Sequence, residues 1–525
     1  MTYGTECART CTTLHLPCLG SVTTAGCRCK FPLVWDDSIK RCIHESECPC
    51  HHHGRSYQPG SKIQWGCNQC ICNNTKWHCT KSECAGWCSA YGDPHYTSFD
   101  GKKFMFQGSC EYVMAQDFCN GRNGTFRVQT QNVVCGSTGV TCAKDITVQV
   151  GDTVLRMERG KEITAKPEVG ALTMTAKYDI VSSGIYTILV TDIGLSVIWD
   201  GGTTVYVSLS PTYKGKTCGL CGNFNGDRAD DFQTPENDVS VLATSFGDSW
   251  STQQNCPNAQ DPPNACVFHK DRAPWAHKQC NILNKEPFIQ CHEAVNPKPY
   301  FDACFLDTCS CDLGGDCECL CTAVSAYASE CSKQGVHIRW RSKDFCPMQC
   351  DYGSQYVACG PSYARTCDNL CKPTPQMPLT CTEGCHCPNG TVNYQGNCVN
   401  PNQCPCIQDG VAHPPGSLVI RNCQQCTCIS GCLVCSGPTC RPSLQTTIVT
   451  STVSQSTSTI HTKAKSIFEQ STNLPSSSVS STTLIPYTEG TTQSIGTFPF
   501  PATQMSTTTE AIQATSNATG AGKSV

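Results

Sequence analysis

The chain has 525 residues, a formal net charge of −4, 48 cysteines and only 15% charged residues. This balance offers no basic face for nucleic acid and no polybasic patch for anionic lipid. No apolar run reaches the ~18 residues that a membrane-spanning helix needs, so no membrane insertion is expected. Cytosolic glutathione would keep so many thiols reduced, so the cysteine density reads as a secreted, extracellular protein.

The N-terminus, Met1-Thr2-Tyr3-Gly4-Thr5-Glu6-Cys7, has no apolar core of a signal peptide. A cysteine-dense chain that opens this way reads as part of a longer secreted protein. The first 88 residues are rich in Cys, Gly, Pro and Asn, and they recur. Cys48-Pro49-Cys50 returns as Cys404-Pro405-Cys406, and Cys67-x-x-Cys70-x-Cys72 as Cys423-x-x-Cys426-x-Cys428. Cys79 and Cys84 return as Cys435 and Cys440, all at an offset of 356. Upstream, Cys7-x3-Cys11 is matched with Cys367-x3-Cys371, and Cys27-x-Cys29 with Cys385-x-Cys387. Counterparts of Cys350 and Cys359 are missing from the first copy, as if its beginning were cut off. With few aliphatic residues, these copies must draw their stability from disulfides worth about 2–4 kcal/mol each.

Residues 89–256 have a different texture, cysteine-poor and strand-like. Phe126–Thr130, Ile146–Val150, Tyr186–Val190 and Val205–Leu209 alternate or run β-branched. Asp200-Gly201-Gly202 reads as a hairpin turn. Short strands with regular turns predict an antiparallel β-sandwich. Residues 257–346 return to dense cysteine with helical spacing around Tyr327-Ala328-x-x-Cys331. They predict a small helical, disulfide-bonded domain. After Cys440 the cysteines stop, and residues 442–525 are dominated by Ser and Thr with scattered Pro. That composition predicts a disordered tail of the O-glycosylated, mucin-like kind. The fold class is therefore multidomain and mainly β.

Two motifs frame the strand-rich block: Tyr91-Gly92-Asp93-Pro94-His95-Tyr96-x-x-Phe99-Asp100-Gly101 at its start and Cys218-Gly219-Leu220-Cys221-Gly222-Asn223-Phe224-Asn225-Gly226-Asp227 at its end. Together they resemble the von Willebrand factor type D domain of extracellular glycoproteins such as the gel-forming mucins. The flanks resemble that family's usual accompaniments. Residues 257–346 look like its eight-cysteine domain, and residues 1–50 (truncated) and 347–406 like trypsin-inhibitor-like domains. Residues 51–88 and 407–441 look like small fibronectin- or von Willebrand-C-like modules.

Asn223, Asn225, Asp227, Asp230 and Asp231 place side-chain oxygens along a short glycine-containing loop, which suits Ca²⁺ better than a thiol- and imidazole-seeking ion. The competing reading is an Asn/Asp/Gly turn that needs no metal. The resemblance implies side-chain ligands Asn223, Asn225, Asp230 and Asp231, a main-chain carbonyl at Asp227 and a distant carboxylate, Asp93. Cys218-Gly-Leu-Cys221 has oxidoreductase spacing, but no helix signal follows to lower a thiol pKa. The resemblance implies bridges Cys88–Cys221, Cys119–Cys218, Cys110–Cys256 and Cys135–Cys142 instead, with exchange during multimer assembly as a second role for the motif.

Other signals are weaker. Asp93-Pro94 is an acid-labile bond that some mucins cleave, against the simpler reading of a turn whose Asp binds calcium. His51-His52-His53 has no counterpart in the second copy and reads as a solvated loop rather than a zinc site. The trypsin-inhibitor-like modules read as spacers rather than inhibitors. Asn73, Asn123, Asn389 and Asn517 open N-glycosylation sequons. No catalytic constellation stands out, so no enzyme is expected. The sequence leads to a structural glycoprotein of matrix or mucus that binds extracellular proteins and links to itself through intermolecular disulfides. The cysteines of residues 304–321 are the place to look for an unpaired one. The alternative is a growth-factor-binding regulator of bone morphogenetic proteins, which the Ser/Thr tail disfavours.

Overall fold

The computed structural model describes residues 9–14, 27–52, 55–135, 140–160, 163–167, 177–261, 264–311, 316–408, 410–421 and 424–437. These lie in a unit spanning Met1–Pro442; the second unit, Ser443–Val525, carries the Ser/Thr-rich segment and lies outside the described residues.

The centre is a β-sandwich of twelve strands. They are β1 (Gly86–Tyr91), β2 (His95–Thr97), β3 (Lys103–Met105), β4 (Glu111–Gln116), β5 (Phe126–Val134) and β6 (Thr141–Val150). The remaining six are β7 (Thr153–Met157), β8 (Thr164–Pro167), β9 (Tyr178–Ser183), β10 (Tyr186–Thr191), β11 (Leu195–Trp199) and β12 (Val205–Leu209). One sheet runs β3-β2-β1-β12-β11-β10-β9 and the other β4-β5-β6-β7-β8, with antiparallel pairing throughout. The alternation seen in the sequence is the cause. Val128, Val148 and Leu155 pair across β5, β6 and β7 as one inward row. Opposite them sit Ala90, Val197, Val205 and Val207 of the larger sheet, in the same core. Each such aliphatic side chain stabilises the fold by about 1.5–3 kcal/mol when fully buried.

Strands β11 and β12 are buried at every residue, on both faces. Their outward side chains, Ile198 and Tyr206, join Val181, Tyr186, Ile188 and Val190 under a cover that includes Tyr363, Met377 and Leu379. A sheet covered on both sides needs continuous apolar strands, which is why these two do not alternate in polarity. The Asp200-Gly201-Gly202 turn is longer than a tight hairpin. Trp199 pairs with Val205, and Asp200 Oδ1 accepts the Gly202 and Thr204 N–H groups at 2.8 and 3.0 Å.

After α1 (Ala243–Ser249) the chain leaves the sandwich and forms α2 (Ala265–Phe268), α3 (Ala273–Cys280), α4 (Lys298–Ser310) and α5 (Asp316–Lys333). Their core gathers Leu283, Phe288, Tyr300, Tyr327 and Trp340 around the bridges Cys280–Cys304 and Cys291–Cys331. Tyr91 of β1 enters the same core and stacks on Tyr300, tying the helices to the sandwich. In residues 304–321, Cys304, Cys309, Cys311, Cys319 and Cys321 are all bridged, to Cys280, Cys266, each other and Cys346. The side chain of Cys317 lies outside the described residues.

The repeated modules fold alike. Lys62–Trp65, Asn68–Asn73 and Lys76–Cys79 form a three-stranded sheet, and Leu418–Arg421, Gln424–Ile429 and Cys432–Ser436 form another. Cys50–Cys72 and Cys70–Cys79 reappear as Cys406–Cys428 and Cys426–Cys435. One alignment from the sequence is corrected. Cys11–Cys48 and Cys367–Cys404 both span 37 residues, so Cys11 matches Cys367, not Cys371. The offset of 356 therefore holds at Cys11 as well, whereas Cys27 and Cys29 stand 358 from Cys385 and Cys387. Cys371 instead bridges Cys432, locking the second pair of modules together. The equivalent positions in the first copy are His15 and Lys76, so that staple has no counterpart there. Cys27 is the free cysteine among the described residues, while its repeat partner Cys385 is bonded to Cys350.

Candidate calcium site and its disulfide clamp

The loop with clustered carboxylates follows a covalent anchor. Strand β4 carries a bulge between Val113 and Ala115. The carbonyls of Val113 and Met114 accept the N–H groups of Leu220 and Cys221 at 3.1 and 2.9 Å. Gly219 sits at φ +120°, and a side chain there would run into the Met114 carbonyl. This is why the Cys-Gly-Leu-Cys turn needs its glycine. Cys221 is bridged to Cys88 and Cys218 to Cys119, so neither sulfur is left for a redox dithiol. Cys110–Cys256 and Cys135–Cys142 complete the sandwich's bridges.

Beyond Cys221 the loop winds through side-chain turns. Asn223 Oδ1 accepts the Asn225 N–H at 3.1 Å, Asn225 Oδ1 the Asp227 N–H at 2.6 Å, and Asp227 Oδ1 the Ala229 N–H at 2.9 Å. Asn225 Nδ2 donates to Asp230 Oδ2 at 2.8 Å. From the β2–β3 turn, Asp100 reaches in and accepts the N–H groups of Asn225 and Gly226 at 3.0 and 2.9 Å. Ser98 Oγ donates to Asp231 Oδ2 at 2.6 Å. The outer oxygens of Asp230 and Asp231 are buried without a hydrogen-bond partner. Burial pushes the Asp231 carboxyl up to about 6 against the Ser98 hydrogen bond, with the charges of Asp100 and Asp230 adding to the rise. Buried carboxylate oxygens with no donor, beside further carboxylates and amide oxygens, fit a hard divalent cation.

Asn223, Asn225, Asp227, Asp230 and Asp231 are thus brought together, and Asp93 is not brought to them. Asp93 is buried between the sandwich and the helices, beside Asp307 and Ser310 of α4, and its neighbour His95 meets Asp307 Oδ1 at 2.6 Å. The Gly92-Asp93-Pro94 turn leaves β1 toward α4, whereas Phe99-Asp100-Gly101 lies against the loop, its Phe99 N–H bonded to the Cys221 carbonyl at 2.9 Å. Asp100 is the carboxylate that sequence reasoning missed. Its signal was present in the opening motif, twelve residues beyond Cys88 and followed by a turn glycine at φ +86°.

Burial, with Asp307 adding, pushes the Asp93 carboxyl up to about 9 against the Ser310 hydrogen bond. A carboxyl raised on folding binds its proton in the folded state between its unfolded and folded pKa. Its contribution is therefore complete below pH ~4 and is lost as pH rises toward about 9. Asp93→Asn is expected to flatten the fall in urea-unfolding stability between pH 6 and about 9; an unchanged slope would remove Asp93 as its source.

The sequon residues Asn73, Asn123 and Asn389 are exposed, and Asn517 lies outside the described residues. His51 and His52 belong to a strand, not a loop. His52 packs its ring 4.8 Å from Trp65, and His53 lies outside the described residues.

Three family models match the chain. The von Willebrand factor type D domain matches residues 88–238. Residues 88–238 are thus a von Willebrand factor type D domain. The C8 domain matches residues 279–347 and the trypsin-inhibitor-like cysteine-rich domain residues 350–404. Chicken SCO-spondin is 42% identical over 453 residues, covering 83% of this chain and 8% of that protein. Human mucin-2 is 38% identical over 451 residues and human mucin-5B 40% over 454, each covering 83% of this chain and 8% of the relative. The chain therefore spans about a twelfth of these relatives' length. The type D, C8 and trypsin-inhibitor-like domains and the likeness to SCO-spondin and mucins make the chain part of a secreted, disulfide-rich glycoprotein. No helix among the described residues is long and apolar enough to cross a membrane.

Proposed function

We propose that this chain is a calcium-stabilised assembly segment of a mucin- or SCO-spondin-like extracellular glycoprotein, acting in matrix or mucus through disulfide-linked modules. The observation that carries the calcium part is the pair of buried, partnerless oxygens on Asp230 and Asp231 within a set of oxygen donors. In this reading Asn223, Asn225, Asp230 and Asp231 hold the ion, with Asp227 at the loop's centre and Asp100 completing the set. The ion neutralises carboxylates that otherwise repel, and ties the β2–β3 turn to the loop after β12. Assembly is the finer part of the reading: chains join to one another and to other extracellular proteins through intermolecular disulfides.

Calcium is expected to raise the thermal midpoint of the chain by several degrees, and chelation to reverse it, by mass action on the folded state. Asp231→Asn should remove most of that response while Asp93→Asn keeps it. A calcium response that survives Asp231→Asn sinks the site. For assembly, the secreted chain should run as a ladder on non-reducing gels that collapses on reduction, and a single non-reduced band overturns that part.

A further inference from the structure

Cys218 and Cys221 are committed to separate bridges with Cys119 and Cys88. The seam between the C8 and trypsin-inhibitor-like domains holds a cluster that the calcium clamp does not use. Cys359 and Cys381 are bridged across the paired strands Gln355–Pro361 and Cys381–His386. Cys359 stands where that ladder shifts register between Val357 and Gly360, so no regular strand pairing encloses it. Two polar groups from the C8 side crowd one sulfur only by hydrogen-bond geometry. Ser332 Oγ lies 3.5 Å and His337 Nδ1 3.7 Å from Cys381 Sγ, and Ser332 Oγ and His337 Nδ1 are 3.0 Å apart. His337 is exposed and both half-cystines are partly so, unlike the buried Cys88–Cys221 and Cys280–Cys304 pairs. Nitrogen and both sulfurs fall within 4.8 Å of one another, but sulfurs bonded to each other do not make a metal site.

We propose that Cys359–Cys381 is a thiol–disulfide exchange site, in which Cys359 receives an incoming thiolate and Cys381 is the sulfur that leaves. The incoming sulfur's lone pair forms the new S–S bond to Cys359 Sγ. The Cys359–Cys381 bond breaks and its electron pair stays on Cys381 Sγ. The Ser332 hydroxyl donates to that thiolate while its oxygen accepts from the Nδ1–H of His337, and the thiolate takes its proton from solvent. One thiol is consumed and one released, so no net oxidant is required; the co-reactant is a thiol, either a small one or a cysteine of another polypeptide. Exchange is faster when the leaving thiolate is stabilised, which is the service His337 and Ser332 perform. Burial lowers the His337 pKa below that of a free imidazole, which favours the neutral ring. Hydrogen-bond distances place Ser332 and Cys381 against it. The inference rests on the assembly reading only for the identity of the natural thiol.

The test uses the full chain and reduced glutathione at low concentration, quenched by alkylation and mapped by mass spectrometry. Glutathione should appear on Cys359 and the alkyl group on Cys381, before the half-exposed Cys350–Cys385 bridge reacts. His337→Phe should slow this labelling about tenfold at equal thiolate concentration and Ser332→Ala by less, with the Cys350–Cys385 rate unchanged in both. Glutathione on Cys381, or a Cys359 rate equal to that of Cys350–Cys385, overturns the proposal, as does a His337→Phe chain that folds and reacts at the wild-type rate. The labelling pattern of the unmodified chain decides the matter even if the variants misfold. The gel ladder tests assembly separately, so either result can fail alone.

Discussion

Cys88→Ser is expected to be one of the two most damaging single bridge removals in the type D domain, beside Cys110→Ser with its separation of 146 residues, destabilising it by about 4–5 kcal/mol. The Cys88–Cys221 bridge closes a sequence separation of 133 residues, whereas Cys135–Cys142 closes 7. Chain entropy in the unfolded state grows with the logarithm of the loop, so Cys135→Ser should cost only about 2 kcal/mol. The larger bridge also fastens β1 to the turn that launches the Asn223–Asp231 loop, the proposed calcium site. Its removal should therefore weaken calcium affinity as well as stability, while Cys135→Ser should leave calcium affinity alone. Set against a domain stability of about 5–15 kcal/mol, the Cys88→Ser loss should show as poor secretion and a much lower thermal midpoint. Equal losses from Cys88→Ser and Cys135→Ser would refute the entropic account.

Glu383→Ala should release the trypsin-inhibitor-like domain from the rest. The Glu383 carboxylate accepts from Arg341 Nε and the Tyr356 hydroxyl at 2.8 Å each, and from Ser325 Oγ at 3.2 Å. Its carbonyl accepts the Ile185 N–H of the β9–β10 turn at 2.9 Å. One residue thus meets the C8 domain, its own domain and the type D sheet. Both side chains of the Arg341–Glu383 pair are about 10% exposed. Removing one member of a buried pair strands the other, at a cost of about 3–5 kcal/mol. Glu383→Gln keeps the acceptor for Tyr356 and should cost less. Gly184 and Gly384 touch backbone to backbone beside this point, and a Cβ on Gly384 would collide with Gly184. Gly384→Ala should therefore expose the face around Tyr186 and Tyr206, just as Glu383→Ala should. Hydrogen exchange is the measurement: faster exchange confined to residues 347–406 and β9–β10 is expected. Unchanged exchange there would show that the apolar cover alone holds the domain.

Much of this architecture was legible in the residues because its determinants are local. The four strands read from alternation or β-branched runs fall inside β5, β6, β10 and β12; β5 and β6 alternate because one face is buried, while β10 and β12, buried almost throughout, run apolar. Helical spacing around Tyr327 falls inside α5, where Tyr327 and Cys331 lie one turn apart in the same core. Strands such as β2 and β3, three residues each, carry too little pattern to be read. The upstream repeat register was misread because two Cys-x3-Cys spacings coincide by accident, and only the bridges show which cysteine plays which part.

Sequence alone settled the compartment and the modular, cross-linked construction, because cysteine spacing, β alternation and turn glycines act over a few residues. It also put the oxygen-rich loop on a single stretch, Asn223 to Asp231. Tertiary structure decided which distant aspartate joins that loop. Asp93 and Asp100 stand seven positions apart in one motif, yet the turn after β1 sends the first into the C8 contact and the second to the Asn223–Asp231 loop. His95 and Asp307, 212 residues apart, meet only after two domains dock. Such pairings depend on the packing of whole layers, which no local pattern encodes.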